Sequence, residues 1–342
     1  MVSRTIRLAA LAVAVTAGLA SAASAANYKV RYAYGSVSFA YLPMYLAEDV
    51  GLMKAEGVDF EVVQVAGSGP ASAATLAGSL NFFVGVPVTA ARAIVKGQKL
   101  ATFALVMTEY GSNVVVSKEV KDKYKLTPQM PIEQRLDALK GLKIAVWTPS
   151  SAPDLLLRYI AAKKGWNPER DLTLLPIGGS GPMLAAMEKK RVDGFSLSSP
   201  TADQAIERYG AFMLYNAAIG EWPPLKGAPY IGLIANTDWL KSSPEAAAAV
   251  YRALWKGMKY LHEKPVEAKA AMRKRFHTFD EKAFEAAYEN NRMAIPMTPE
   301  VGLAKAAMMK EFVETMDHKP LGVPIERLID DDVGKLAAKT MK

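Results

Sequence analysis

The sequence predicts an α/β protein of two similar lobes with a hinge between them. Each lobe is expected to be a doubly wound, mostly parallel sheet with flanking helices. Three observations predict this: a repeated Gly-Ser-Gly-Pro turn, short strands that alternate with helices, and an apolar leader ahead of both. The turn Gly67-Ser68-Gly69-Pro70 recurs as Gly179-Ser180-Gly181-Pro182, 112 residues later. At the same offset Ala73-Ala74 meets Ala185-Ala186, Phe83 meets Phe195 and Thr89-Ala90 meets Thr201-Ala202. In all, 9 of the 25 positions from Ala66 to Ala90 are identical. Two copies exclude a solenoid, which needs more repeats to bury its faces. They imply two lobes of one design, and 342 residues suffice for two cores.

The leader has the three parts of a secretory signal peptide. Arg4 and Arg7 are followed by the apolar run Leu8 to Ala20 and by small residues up to Ala26. The run is shorter than the roughly 20 residues a membrane-crossing helix needs. We therefore expect residues 1–26 to be removed, with cleavage after Ala25 or Ala26, and a periplasmic protein to result. Cysteine is absent, which excludes disulfides, thiol chemistry and a lipid-modified cysteine anchor. The formal charge of +8 falls to +6 when Arg4 and Arg7 leave. No basic run is interleaved with aromatics, so a nucleic-acid surface is not expected.

From Asn27 the chain reads in order. Lys29 to Tyr34 alternates and is rich in Val and Tyr, a strand. A helix is expected over about Phe39 to Glu48, closed by Gly51. Strand Val58 to Val65 delivers the first Gly-Ser-Gly-Pro turn, and Pro70 suits the first turn of the helix that follows, Ala71 to Ala77. Strand Leu80 to Val84, turn Pro87 to Thr89, helix Ala90 to Lys96 and strand Leu100 to Met107 complete a first unit. Val114 to Val116 opens a second, and the polar stretch Lys121 to Leu139 reads as a surface excursion. The pattern then replays: strand Ile144 to Val146, helix Asp154 to Lys163, strand Leu172 to Ile177, helix Met183 to Lys189 and strand Val192 to Leu197. Ile231 to Ala235 reads as a strand returning to the first unit. Val250, Leu254, Met258 and Leu261 mark one face of a long helix after Pro244. The lobes are therefore expected to be 27–110 with 236–342, and 111–235 inserted between them.

In such sheets ligands bind beyond the carboxyl ends of the strands. The loops expected there are rich in Gly, Ser, Thr and Pro and nearly free of charge; Ser36, Ser68, Ser150, Ser151 and Ser180 offer hydroxyls. Helix N-termini supply unpaired N–H groups and partial positive charge, enough to hold an oxyanion without Lys or Arg. Taken singly, each serine reads as a helix cap; taken as a pair in two lobes, the turns read as a shared grip. No Lys-Ser or Lys-Thr follows the glycines, so neither turn is a Walker loop. Tyr34, Phe39, Tyr41, Tyr110, Trp147 and Trp222 are candidates for pocket walls or for core.

Catalysis finds little support. His262, His277 and His318 fall in the C-terminal helical part and are expected at the surface. Glu109 and Asp154 read as isolated carboxylates, and Asp330-Asp331-Asp332 as a solvated tail that lacks a calcium loop's pattern. No metal and no cofactor is expected.

Several segments resemble the solute-binding components of ABC importers in the nitrate/sulfonate/taurine group, which shares its fold with thiamine-precursor receptors. They are Ala40-Tyr41-Leu42-Pro43-Met44-Tyr45-Leu46-Ala47 with Gly51-Leu52-Met53, then Ala66 to Pro70, and Gly78-Ser79-Leu80-Asn81-Phe82 leading to Val84-Gly85. In the second lobe they are Asp137 to Ile144 and Arg191-Val192-Asp193-Gly194. The resemblance covers the whole mature chain. It implies a periplasmic binding protein of the second type, monomeric, closing on a small-molecule solute and handing it to a membrane permease and its ATPase. It also implies ligand contacts at Ser38, Phe39, Tyr41, Ser68, Gly69, Val88 and Thr89, and at Thr148, Ser150, Ser151, Ser180, Gly181 and Ser199. Sulfonate receptors often carry Gly-Asp-x-Pro where this chain has Gly85-Val86-Pro87, so one polar contact is missing. The thiamine-pathway enzyme of this fold needs a histidine and a cysteine cluster that this chain lacks. The expected solute is a small organic anion, a sulfonate or carboxylate. An enzyme of the same fold acting on a small carboxylate and a ligand-sensing module are the alternatives.

Overall fold

The computed structural model describes residues 27–341 apart from Ser36 and Ala66. The expected leader, its cleavage site and the Ser36 hydroxyl lie outside the described residues. The first part of the chain runs β1 (Tyr28–Tyr34), α1 (Leu42–Asp49), α2 (Leu52–Ala55), β2 (Val58–Gln64), α3 (Ser68–Leu76), β3 (Phe82–Gly85), α4 (Pro87–Val95) and β4 (Leu100–Met107). The second runs β5 (Asn113–Val116), α5 (Lys118–Tyr124), α6 (Ile132–Asp137), β6 (Lys143–Val146), α7 (Ala152–Lys163) and α8 (Pro168–Asp171). It continues through β7 (Thr173–Pro176), α9 (Ser180–Glu188), β8 (Gly194–Leu197), α10 (Thr201–Tyr209) and β9 (Phe212–Tyr215). The strand β10 (Ile231–Asn236) is followed by α11 (Thr237–Ser242), α12 (Pro244–Glu263), α13 (Pro265–Arg275), α14 (Glu281–Met293), α15 (Gly302–Asp317) and α16 (Asp332–Thr340).

Two five-stranded sheets result, ordered β2-β1-β3-β10-β4 and β7-β6-β8-β5-β9. In each, only the fourth strand runs against the others: β10 against β3 and β4, β5 against β8 and β9. That strand is in each case the one by which the chain enters from the other lobe. The sheets are therefore mixed but mostly parallel, and two crossing segments, 108–112 and 216–230, join the lobes. The internal repeat is visible element by element: α9 and β8 start and stop 112 residues after α3 and β3.

The departures from expectation have local causes. The helices α3, α4 and α9 each begin about three residues earlier than the turn residues suggest. Ser-Gly-Pro and Pro-Val-Thr form their first turns, where a missing proline N–H costs nothing. Residues 121–139 are not a bare loop, because α5 and α6 occupy them. Arg135 is buried there and donates to Glu221 and to the Leu214 carbonyl (2.9 Å). His262 is half-buried with a ring nitrogen donating to the Ile295 carbonyl (3.1 Å), whereas His277 and His318 are exposed. The three consecutive aspartates do structural work: Asp330 caps α16 through the Asp332 N–H (3.1 Å), and Asp331 accepts from the Gly302 N–H (3.2 Å).

The segment carrying Ser38 to Tyr41 is fixed from beneath. Glu48, at the end of α1, accepts hydrogen bonds from Tyr32 (2.6 Å) and Tyr34 (2.5 Å) and pairs with Arg275 (2.7 Å). Burial with an anion beside it pushes both tyrosine hydroxyls well above their ordinary pKa. On the other side, α12 presents Val250, Leu254, Met258 and Leu261 as a buried face. Gly257 lets α12 approach α1 so closely that a Cβ there would stand 2.2 Å from the Pro43 carbonyl oxygen.

The C-terminal helices touch both lobes. The helix α15 packs on α4 of the first and α7 of the second. Its Phe312 stacks on Tyr159 of α7 (centroids 4.3 Å, 18°) and on Tyr110 of a crossing segment (5.1 Å, 17°). On α14, Phe284 packs edge-on against Phe39 of the first lobe, while Asp280 and Lys282 pair with Arg208 and Glu207 of α10.

Two outcomes follow for stability. Phe312→Ala empties a site only 3% exposed and should cost about 3–5 kcal/mol in chemical denaturation; a loss below about 1 kcal/mol would mean the lobes are not held through this ring. Asp203, in the first turn of α10, has a buried Oδ2 with no hydrogen-bond partner, and burial pushes its carboxyl up to about 6. A raised carboxyl stabilises below its unfolded pKa and loses that contribution as pH rises through about 6. Asp203→Asn should therefore raise stability relative to the parent near pH 7.5 by on the order of 2 kcal/mol, read as a higher melting temperature, and bring no gain near pH 4. An equal gain at both pH values would sink this account.

Candidate functional site

A narrow cavity lies where the lobes meet, at the carboxyl ends of the strands, with a volume of about 50 Å³. That is room for roughly four water molecules or a small oxyanion; anything bulkier requires the lobes to part. The first lobe contributes Gly35, Tyr41, Gly67, Ser68, Gly85 and Val86. The second contributes Trp147, Ser151, Ala152, Pro153, Leu197 and Ser198, and the second crossing segment with β10 adds Tyr230 and Ile231. Among the described residues, no Lys, Arg, His, Asp or Glu lines it.

What the lining has instead is the starts of three helices. Gly67 and Ser68 open α3, Val86 precedes Pro87 of α4, and Ser151 precedes Ala152 of α7. None of these N-termini has a side-chain cap. The cap position of α3 is Gly67, not a serine, at φ 92°, and its Cα side faces Thr148 of the other lobe, whose Oγ1 would stand 3.5 Å from a Cβ. Ser68 is therefore free of the capping role, and its hydroxyl accepts only a long bond from the Val86 N–H (3.5 Å). Ser151 donates to the Thr148 carbonyl (2.6 Å).

Of the expected contact residues, Tyr41, Ser68 and Ser151 line the cavity. Ser38 and Ser199 lie just beneath it as part of a seam between lobes. There Ser38 and Ser198 share a hydrogen bond (2.7 Å), and the Phe39 N–H donates to the Ser199 carbonyl (3.1 Å). Asn113 in turn donates to the Ser199 hydroxyl (3.1 Å), and Ser112 and Ser196 pair at 3.0 Å. Tyr230 stands beside this seam, and its burial pushes the hydroxyl pKa up. Gly69, Thr89 and Ser150 border a neighbouring, outer pocket, with Thr89 donating to the Ser150 carbonyl (3.4 Å) across the lobe boundary.

The others are placed elsewhere. Phe39 is fully buried against Phe276 (4.6 Å) and Phe284, Val88 is buried in α4, and Gly181 is exposed. Ser180 is tied to Thr201 (2.8 Å), and Trp147 covers Gly179 so tightly that a Cβ there would stand 2.9 Å from the ring. The first Gly-Ser-Gly-Pro turn thus lines the cavity and the second stands behind a tryptophan. Among the aromatic candidates, Tyr41 and Trp147 line the cavity, while Tyr34, Tyr110 and Trp222 are core. The two carboxylates have partners: Asp154 accepts from the Ser150 N–H (2.9 Å) and pairs with Arg158 (3.0 Å), and Glu109 accepts from the Gly227 N–H (2.9 Å). Burial pushes the Glu109 carboxyl up. Tyr230 and Ile231 were not foreseen, because they come from the returning segment, which repeats nothing.

Comparison with known proteins agrees with this architecture. The bicarbonate-binding protein CmpA of Synechococcus elongatus is 25% identical over 273 residues, which are 73% of this chain and 58% of CmpA. The chain thus spans less than two thirds of that relative's length. The alkanesulfonate-binding protein SsuA of Xanthomonas axonopodis pv. citri superposes with a TM-score of 0.68 at 18% identity, covering 90% of this chain and 99% of SsuA. The periplasmic nitrate-binding protein NrtA of Synechocystis gives 0.67 at 15% identity, covering 92% and 89%. Residues 14–274 match the NMT1-like family. With that match spanning well over half its length, the chain belongs to the NMT1-like family.

Proposed function

We propose that the protein is a periplasmic solute receptor that binds a small oxyanion, a sulfonate or carboxylate, in the cavity between its lobes and delivers it to an ABC permease. The observation that carries this reading is the uncharged cavity walled by three uncapped helix N-termini. Backbone N–H groups there have no intrahelical partner, and the helix dipoles favour negative charge. Ser68, Ser198 and Tyr230 add hydroxyls that can donate to the same group, as can Ser151 once its proton turns from the Thr148 carbonyl. The flat faces of Trp147 and Tyr41 suit a short organic body attached to it. Among the described residues the lining carries no carboxylate, imidazole or amine, and burial pushes the Tyr230 hydroxyl further above its ordinary range. Binding without turnover is what such a lining supports. Both lobes contribute contacts, so a solute favours the closed form by its differential affinity for it, and the closed form is what the permease would recognise.

Native mass spectrometry of the freshly purified protein should reveal a bound small anion, and calorimetry with nitrate, bicarbonate, short alkanesulfonates and short carboxylates should find saturable binding. Ser68→Ala and Ser151→Ala should each weaken the best of these by about tenfold, the worth of one hydrogen bond to a charged group. If none of these anions binds while a neutral heterocycle does, or if a small carboxylate is converted to product, the reading is wrong.

A further inference from the structure

A second concavity, of about 300 Å³, adjoins the cavity on its outer side. Helix α3 gives it Gly69 and Ser72, α4 gives it Thr89 and Arg92, the residue just after α4 gives it Lys96, and the second lobe closes it with Ser150 and Leu155. Two cations a helical turn apart face this space. Lys96 makes no ion pair among the described residues, and Arg92 spends one nitrogen on Asp317 (3.0 Å). Against two positive charges there is one carboxylate, which leaves a net positive pocket. Ser72 is an independent sign. It is 7% exposed, it lines the pocket, and its hydroxyl is buried without a hydrogen-bond partner. Buried hydroxyls are nearly always satisfied, and one that is not asks for a partner the fold itself does not supply.

We propose that this outer pocket is a second anion-binding site, in which Arg92, Lys96 and Ser72 hold a sulfate-, phosphate- or carboxylate-type oxyanion. Arg92 offers a planar fork of donors and Lys96 a mobile point charge, the usual pair for such groups. The site differs from the inner cavity in kind, since its charge comes from side chains and not from helix N-termini. Its floor belongs to the first lobe and its lid, Ser150 and Leu155, to the second, so it is complete only when the lobes are together. An anion seated there favours the closed form, and by linkage it must raise the affinity of the inner cavity by the same factor by which the inner solute raises its own. That coupling rests on the receptor reading above; the existence of the site does not.

The test uses inorganic sulfate against chloride at matched ionic strength, followed by calorimetry and melting temperature in the full-length protein. The starting variant is Ser68→Ala/Ser151→Ala, in which the inner cavity should bind about a hundredfold more weakly. It should still bind sulfate saturably, and adding Arg92→Gln and Lys96→Gln should weaken that binding at least tenfold. Lys96→Gln alone, which breaks no ion pair, should weaken it several-fold, and Asp317→Asn should strengthen it by removing the competing carboxylate. If Ser68→Ala/Ser151→Ala already abolishes sulfate binding, the anion sits in the inner cavity; the outer site is then overturned and the receptor reading stands. Saturable binding that ignores Arg92 and Lys96, or no saturable binding in any variant, also overturns it.

Discussion

Backbone N–H groups in the first turn of a helix have no intrahelical acceptor, and a fold must either cap them, wet them or aim them at a ligand. This chain aims three sets at one place. Parallel strands followed by helices put every helix start at the same edge of a sheet, and the pairing of two such sheets puts two edges face to face. Gly67, Val86 and Ser151 precede their helices without capping them by a side chain. Prolines in the first turns of α3, α4 and α7 remove N–H groups that could not all be satisfied. The cavity between the lobes is what this topology leaves at its mouth, and its lack of charged side chains follows from the backbone already supplying the field.

The two lobes are held together by contacts of unequal weight. The serine seam under the cavity and the Thr89–Ser150 bond are neutral hydrogen bonds, worth about 0.5–1.5 kcal/mol each because water replaces them on opening. The surface pairs Arg208–Asp280 and Lys282–Glu207 are weaker still, being exposed and screened. Phe312, stacked between Tyr110 and Tyr159, is different, because no solvent replaces a buried aromatic contact. An opening motion that kept this ring seated would cost little, and one that unseated it would cost several times more. On the proposed reading, an opening of the lobes would pivot on the crossing segments and α15 and would part the seam and the outer pocket.

The framework was legible because it is written in local signals. Val- and Tyr-rich alternation marked β1, and the 112-residue offset foretold that α9 and β8 would copy α3 and β3. Helix starts were misplaced by three residues because a Ser-Gly-Pro looks like a turn until the backbone shows it already helical. The site was legible in part for a related reason. Tyr41, Ser68 and Ser151 sit where topology dictates, but Ser180 occupies the equivalent place and is tied to Thr201 next to Gly179, which Trp147 covers, a difference in shape that symmetry cannot reveal. Tyr230 depends on a crossing segment without internal counterpart, and Phe39 looked like a pocket wall until Phe276 and Phe284, more than 230 residues away in sequence, closed over it.

The division between an uncharged interior and a basic rim has a consequence for selectivity. A lysine or arginine inside the cavity would need to be stripped of water when the lobes close, at a cost of several kcal/mol that only a well-placed anion returns. Helix N-termini bring their partial charges already fixed in place and lose no side-chain freedom on binding. They suit a group with one negative charge; a dianion buried there would leave its second charge without a partner, which proteins do not tolerate cheaply. Arg92 and Lys96 stand outside, where they remain hydrated and can attract anions of either charge towards the mouth. On the proposed reading, attraction falls to side chains at the rim and discrimination to backbone in the interior, so that a more basic rim would speed capture without relaxing which anion is held.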